Sequence, residues 1–266
     1  MGQVRAGRAA AGVLCDGVSG AAVRVCAMTQ MFDVRQGLEH ARADREAAWR
    51  FVRDFAHAWV EPLTEGDGFT EEDLAAAAER LGVSLPSALG EMYRLLGRRR
   101  DLTSNHDRLL HPDQLYIDAR SEALVFREEN QGACSWGVLL KDLDRADPGV
   151  HVLSDLADRQ AQRWEPWMER LSWMAVEMVL AESLHAPQHL SDFLYEPDHE
   201  YTRVLEECCE LLPFPSYPAA GFEGTRWFLG ADVLLRDEEG CVPVRARTEE
   251  ALDAVRALLP GDWLNA

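Results

Sequence analysis

The chain has 266 residues, 47% of them hydrophobic, so one large domain or two small ones with a sizeable core are within reach. Its 46 acidic residues against 27 basic ones leave a net charge of -19. That balance argues against general binding to nucleic acid or to an anionic membrane surface, which both require a basic face, and it favours steering toward a basic partner.

The first 30 residues differ from the rest. They carry Arg5, Arg8 and Arg24 against Asp16 alone and are rich in Ala, Gly and Val. Charges and glycines interrupt any signal-peptide stretch, so a disordered N-terminal extension is expected over 1–30, with Met28 and Met31 as alternative start sites. From Leu38 to Val60 the recurrence of Trp49, Val52, Phe55, Ala56 and Trp59 predicts one helix, ended at Glu61-Pro62.

Thr70 with Asp73 three residues on predicts a capping box opening the next helix, and Glu71 and Glu72 suit its positive end. Leu74, Ala77, Ala78 and Leu81 form its apolar stripe. Gly82 then suits a left-handed cap with Val83 folding back. Leu85-Pro86 restarts a helix whose core face is Leu89, Met92, Tyr93 and Leu96, ending at Gly97.

Strands follow at Leu115–Ile117, Leu124–Arg127 and Cys134–Leu140, the last two paired antiparallel through the turn Glu128-Glu-Asn-Gln-Gly132. Alternation puts Trp136 on the core face with Cys134 and Val138. It puts Gly137 on the other face, where a close approach is expected. The Asn130 and Gln131 amides are expected to tie the turn down through backbone hydrogen bonds. Another strand is expected at Val150–Leu153.

A helix is predicted over Pro166–Leu184, with Trp167, Leu171, Met174, Met178 and Leu184 on a broad apolar face, and a further one over His199–Leu212. Strands Arg226–Leu235 and Cys241–Ala246 flank the turn Asp237-Glu-Glu-Gly240. Thr248 caps a last helix with core residues Leu252, Val255 and Leu259. The order helices, strands, helices, hairpin, helix predicts an α+β fold with an antiparallel or mixed sheet.

Six segments carry a family signal in this order: Phe69-Thr-Glu-Glu-Asp-Leu74, Glu79-Arg-Leu-Gly-Val-Ser-Leu-Pro86, Tyr93-Arg-Leu-Leu-Gly97, Asn105-His-Asp-Arg-Leu109, Phe126-Arg-Glu-Glu-Asn-Gln131 and Trp136-Gly137. The stretch from Phe69 to about Leu153 resembles the SMI1/KNR4 (SUKH) superfamily. The stretch Trp227–Leu235 followed by Ala246–Leu252 resembles that family's closing hairpin and helix. The resemblance implies a single SMI1/KNR4-like domain over 31–266. In it 31–60 is an extra helix, 69–153 the best-matching core, 156–225 a helical insertion and 226–260 the closing hairpin and helix.

It also implies a non-enzymatic binding module, in many members a bacterial immunity protein that neutralises a toxin. The acidic chain suits a basic, nuclease-like one. No catalytic residue, cofactor or metal is expected on this reading. Gly82, Leu85, Pro86, Asn130, Gln131, Trp136 and Gly137 match family positions, for which structural roles are expected. Glu128, Glu129, Asp237, Glu238 and Glu239, at two predicted turns, are the candidates for contact with a basic partner. The alternatives are a regulatory or scaffold module binding an endogenous protein, and a hydrolase using the His106–Asp113 region.

Other chemistry lacks support in the residues. Cys15, Cys26, Cys134, Cys208, Cys209 and Cys241 form no CxxC pair, and their density is not that of a disulfide scaffold, so a reduced cytoplasmic setting is expected. Gly132-Ala-Cys-Ser-Trp136 resembles the papain-type cysteine segment, but Ser135 separates Cys134 from the tryptophan. The last histidine, His199, stands only 65 residues downstream. His185 and His189 have helical ligand spacing, but Pro187 lies between them. No HExxH, nucleophile elbow or phosphate-binding loop is present, and no apolar run approaches the ~20 residues of a membrane helix.

Overall fold

Asp44 divides the helix expected over 38–60. Helix α1 is Val34–Ala43 and α2 is Arg45–Trp59. The Asp44 backbone is extended, and its carboxylate accepts from the Ala47 N–H at 2.8 Å, so one residue ends α1 and caps α2. The computed structural model describes residues 32–197, 199–214, 224–238 and 240–265; the predicted extension over 1–30 and Glu239 lie outside the described residues.

Helix α3, Glu71–Leu81, opens on the Thr70–Asp73 capping box and closes on Gly82 at φ +69°. Pro86 stands immediately before α4, Ser87–Leu96, whose Leu89, Met92, Tyr93 and Leu96 are fully buried. A single turn, α5, spans Arg100–Thr103.

The first sheet is antiparallel. Strands β1 (Arg108–Leu109), β3 (Ala123–Glu128), β4 (Cys134–Leu139), β5 (Val150–Ser154) and β6 (Glu165–Met168) follow one another, and β2 (Tyr116–Ile117) also pairs with β3. Trp136 is in the core. A Cβ on Gly137 would stand 2.9 Å from the Leu124 carbonyl oxygen and 3.0 Å from the Trp164 ring, so this position requires glycine.

Strand β6 corrects the helix predicted from Pro166. It takes Pro166 at the edge of the sheet, where a missing N–H is tolerated, and α6 begins only at Leu171 and runs to Ser183. The segment 156–225 is therefore not purely helical. After α6 come β7 (Ser191–Tyr195), α7 (Tyr201–Cys208) and β8 (Glu210–Leu211). Strand β7 lies inside the second sheet, between β12 (Asp262–Trp263) and β11 (Cys241–Ala246), because Phe193, Leu194 and Tyr195 alternate in burial as a strand does.

The strand expected over Arg226–Leu235 is a hairpin. Strand β9 is Arg226–Gly230 and β10 is Val233–Asp237, joined at Asp232, whose φ of +58° an aspartate tolerates. Sheet order is β12-β7-β11-β10-β9-β8, antiparallel throughout. Helix α8, Glu249–Leu258, starts at the Thr248 cap.

Every residue of α6 is buried. Its apolar side chains share one core with α2, α4, the first sheet, and Trp227 and Leu234 of the second. The opposite face of the second sheet packs Leu194, Leu235, Val242 and Val244 against Leu252, Val255 and Leu259. The fold is α+β. Among the described residues no helix is long and apolar enough to cross a membrane.

Candidate functional site

A β-bulge in β3 starts the site. The pairing runs Val125 with Gly137, then Arg127 with Trp136, so Phe126 is the extra residue and Arg127 is turned to the same face as Trp136. Arg127 is 2% exposed, with its guanidinium carbon 4.6 Å above the Trp136 ring.

Such a cation must be paired. Its Nη2 donates to Glu182 of α6 and to Asp107 Oδ2 at 3.1 Å, and Nη1 is 3.9 Å from Glu177 Oε2. Burial alone would lower the Arg127 pKa, but Glu182, Asp107 and Glu177 outweigh it and hold it above the ordinary value. Burial pushes the Asp107 carboxyl up, more than Arg127 pulls it down. Glu182 also accepts from the N–H groups of Asn105 and His106 at 2.7 Å and of Asp107 at 3.3 Å, which fixes the loop carrying the last two.

Around this cluster lies a cavity of about 430 Å³, walled by Trp136 and Trp167 and bordered by Asp107, Glu129, Glu177 and Glu238. Arg236 completes the border; its Nη1 is 3.9 Å from Glu177 and its Nε pairs with Glu238. Counting Glu182 beneath, five carboxylates meet two guanidinium groups, a formal excess of three negative charges.

At the rim, His106 stacks on His185 with ring centres 4.1 Å apart. Burial, reinforced by His106, Arg236 and Arg127, holds the His185 pKa down at about 3, so that ring is neutral. Donor atoms of His106, Asp107 and Glu129 lie within 4.8 Å of one another, a set of one imidazole and two carboxylates that fits a divalent cation. Cys134 also faces the cavity. Burial, with Asp107 and Glu129, pushes its pKa up to about 12, so it is a thiol and not a nucleophile.

The two acidic turns picked out in the sequence meet here, since Glu129 and Glu238 border one cavity. Their neighbours do not. Glu128 pairs with Arg108 and accepts from the Tyr116 hydroxyl at 3.0 Å. Asp237, read as part of an exposed turn, is 2% exposed. Strand alternation places it on the face of Val233 and Leu235, where Arg226 donates to it at 2.7 Å and Tyr201 at 3.1 Å. Glu239 is outside the described residues.

The tie expected from the Asn130 and Gln131 amides is made by another residue. Glu129 stands at the head of the turn, within reach of the N–H groups two and four residues on, and accepts from Gln131 and Ala133 at 2.8 Å each. The Asn130 amide reaches His106 instead, at 3.0 Å. Gly82, Leu85 and Pro86 shape the α3–α4 connection, away from the cavity. His111 and Asp113 border a different pocket beside Phe69, apart from His106.

Arg127, Glu177, Glu182 and Arg236 were not foreseen. The available signal was two glutamates in the run Leu171–Leu184, whose other residues are apolar apart from Ser172 and Ser183. A charge inside a helix that is buried all round demands an opposite charge nearby. No protein-family model, curated protein or solved structure matches the chain.

Proposed function

We propose that the chain is a non-enzymatic protein-binding module of the SMI1/KNR4 type, and that its acidic cavity receives a basic side chain of a protein partner. The observation carrying this reading is the convergence of Glu129 and Glu238 on a cavity that is also lined by Asp107, Glu177 and the contacting indoles of Trp136 and Trp167. An ammonium or guanidinium group gains there from the carboxylates. The net charge of -19 supports it by steering a basic partner to the surface.

In the immunity form of the proposal the partner is a basic, nuclease-like toxin met in the cytoplasm, and binding occludes its active site without catalysis or cofactor. In the regulatory form the partner is an endogenous protein. The test is co-expression with the product of the neighbouring reading frame, using the wild type and the double variant Glu129→Arg/Glu238→Arg. Rescue of growth by the wild type alone supports immunity. A housekeeping protein that co-purifies with the wild type and is lost from the variant supports regulation. Equal behaviour of the two chains, or no protein partner at all, overturns the cavity reading. His106→Ala with an unchanged cellular phenotype is expected and stands against a hydrolase.

A further inference from the structure

The ladder between β1 and β3 pairs Arg108 with Glu128 and Leu109 with Arg127. Carried one step further, that register sets Asp107 across from Glu129. Facing residues share one side of the sheet, and two carboxylates so placed repel each other. Arg127 lies on the same side and reaches Asp107 Oδ2 at 3.1 Å, but it also serves Glu182. Oε2 of Glu129 accepts from the N–H groups of Gln131 and Ala133 at 2.8 Å each, and no basic side chain pairs with Glu129 among the described residues. Its Oε1 therefore stays open beside Asp107.

His106 brings a third donor to the same point. The ring is exposed and lies on His185, and its Nε2 stands 4.0 Å from Asp107 Oδ1. Two donors bound at ~2.1 Å to one ion stand no more than about 4.2 Å apart, so this pair already meets the limit. Adding Glu129 keeps one donor atom from each residue within 4.8 Å of the others. In a chain with 46 acidic residues, this is the one place among the described residues where three such donors converge. The backbone beneath is fixed, because Glu182 accepts from the N–H groups of both His106 and Asp107. The Asn130 amide is 3.0 Å from Nδ1 and 3.3 Å from Nε2 of His106, so it can hold Nδ1 while Nε2 takes an ion.

We propose that His106, Asp107 and Glu129 bind a divalent first-row transition cation of the Mn²⁺ and Zn²⁺ class. All three residues line both the acidic cavity and a neighbouring cavity of about 660 Å³, so the ion sits where the two meet and is reached from either. It relieves the repulsion between the facing carboxylates and lowers the formal excess of three negative charges to one. The imidazole selects against Mg²⁺ and Ca²⁺, which prefer oxygen ligands. This inference rests on the geometry of the cavity and not on a protein partner; an ion and a basic side chain compete for Glu129.

The test is titration of the chelator-treated full chain with MnCl₂, in a molar excess of Mg²⁺, with free Mn²⁺ read from its electron paramagnetic resonance signal. Mn²⁺ is used because it has little affinity for the exposed thiol of Cys208. The wild type is expected to bind one ion per chain saturably. His106→Ala and Glu129→Gln should each weaken binding at least roughly tenfold. Glu238→Gln removes one charge from the same cavity but no ligand, and its effect should be clearly smaller. Absence of saturable binding to the wild type overturns the proposal, as do equal losses in Glu238→Gln and Glu129→Gln, which would mark diffuse attraction by an acidic cavity. Displacement of Mn²⁺ by an equal concentration of Mg²⁺ overturns the assignment of the metal class. If Glu129→Gln does not fold, His106→Ala, at an exposed position, carries the comparison, and unchanged affinity in that variant overturns the site. No protein partner enters the measurement, so its failure and the failure of the partner reading are separate results.

Discussion

Glu182 of α6 binds Arg127 of β3 and, with the same two oxygens, the N–H groups of Asn105, His106 and Asp107. One carboxylate thus neutralises the deepest cation of the acidic cavity and sets the position of two residues at its rim. Glu182→Gln keeps the shape but presents an amide N–H₂ to donors and strips Arg127 of its main counter-charge. A loss of about 3 kcal/mol in urea denaturation at pH 7 is expected. In the double variant Arg127→Met/Glu182→Gln part of that loss should return, since no uncompensated cation remains. Additive single losses would show that the two residues do not act as a pair.

Gly137 faces Trp164 with no room for a methyl group. Gly137→Ala must push either the β3 backbone or the indole, at a cost of about 1–3 kcal/mol. Pairing the substitution with Trp164→Leu distinguishes the two routes: relief of most of the loss identifies the ring as the obstacle.

The neutral His185 makes stability depend on pH. Its folded pKa, about 3, lies below the ordinary value of 6.5. Between those values the unfolded chain takes up a proton that the folded chain refuses, so the contribution is complete above pH 6.5 and is lost as pH falls toward 3. Its share of the decline between pH 7 and pH 4 is at most about 3 kcal/mol. His185→Gln should show a correspondingly shallower decline, and superimposable acid-denaturation curves for the two proteins would exclude His185 as a cause.

The thiols divide by environment. Cys208 is exposed, whereas Cys134 is buried with its pKa pushed up to about 12. Iodoacetamide at pH 8 should label Cys208 in the native chain and reach Cys134 only after unfolding, as read by peptide mass spectrometry. Native labelling of Cys134 at the rate of Cys208 would contradict the burial and raised pKa described for that thiol.

Local chemistry made much of the helical half legible. The Thr70–Asp73 box, the left-handed Gly82 and the Thr248 cap each use one residue type for one backbone need, and each stands where the sequence indicates. Trp136 and Gly137 were legible for the same reason, from alternation alone. Misreadings arose where tertiary pairing overrode local pattern. Strand β6 contains a proline that reads as a helix start, and only its place at a sheet edge makes it a strand. Asp44 reads as one charge on a helix surface, yet it separates two helices.

The site divides along the same line. Glu129 and Glu238 announce themselves at turns, but their meeting depends on the packing of two sheets. The bulge that turns Arg127 inward leaves no mark in composition.

The encirclement of α6 bears on how the chain comes apart. Its thirteen residues are buried by the helices and strands that precede it and by strands that come after it. The stretch before α6 cannot close its core without α6, whereas the second sheet has, on its other face, a core with α8 built wholly from residues after α6. Proteolytic cleavage near residue 160 would therefore act unequally: the N-terminal piece loses the helix and the edge strand its sheet packs on, while the C-terminal piece retains the core between the second sheet and α8.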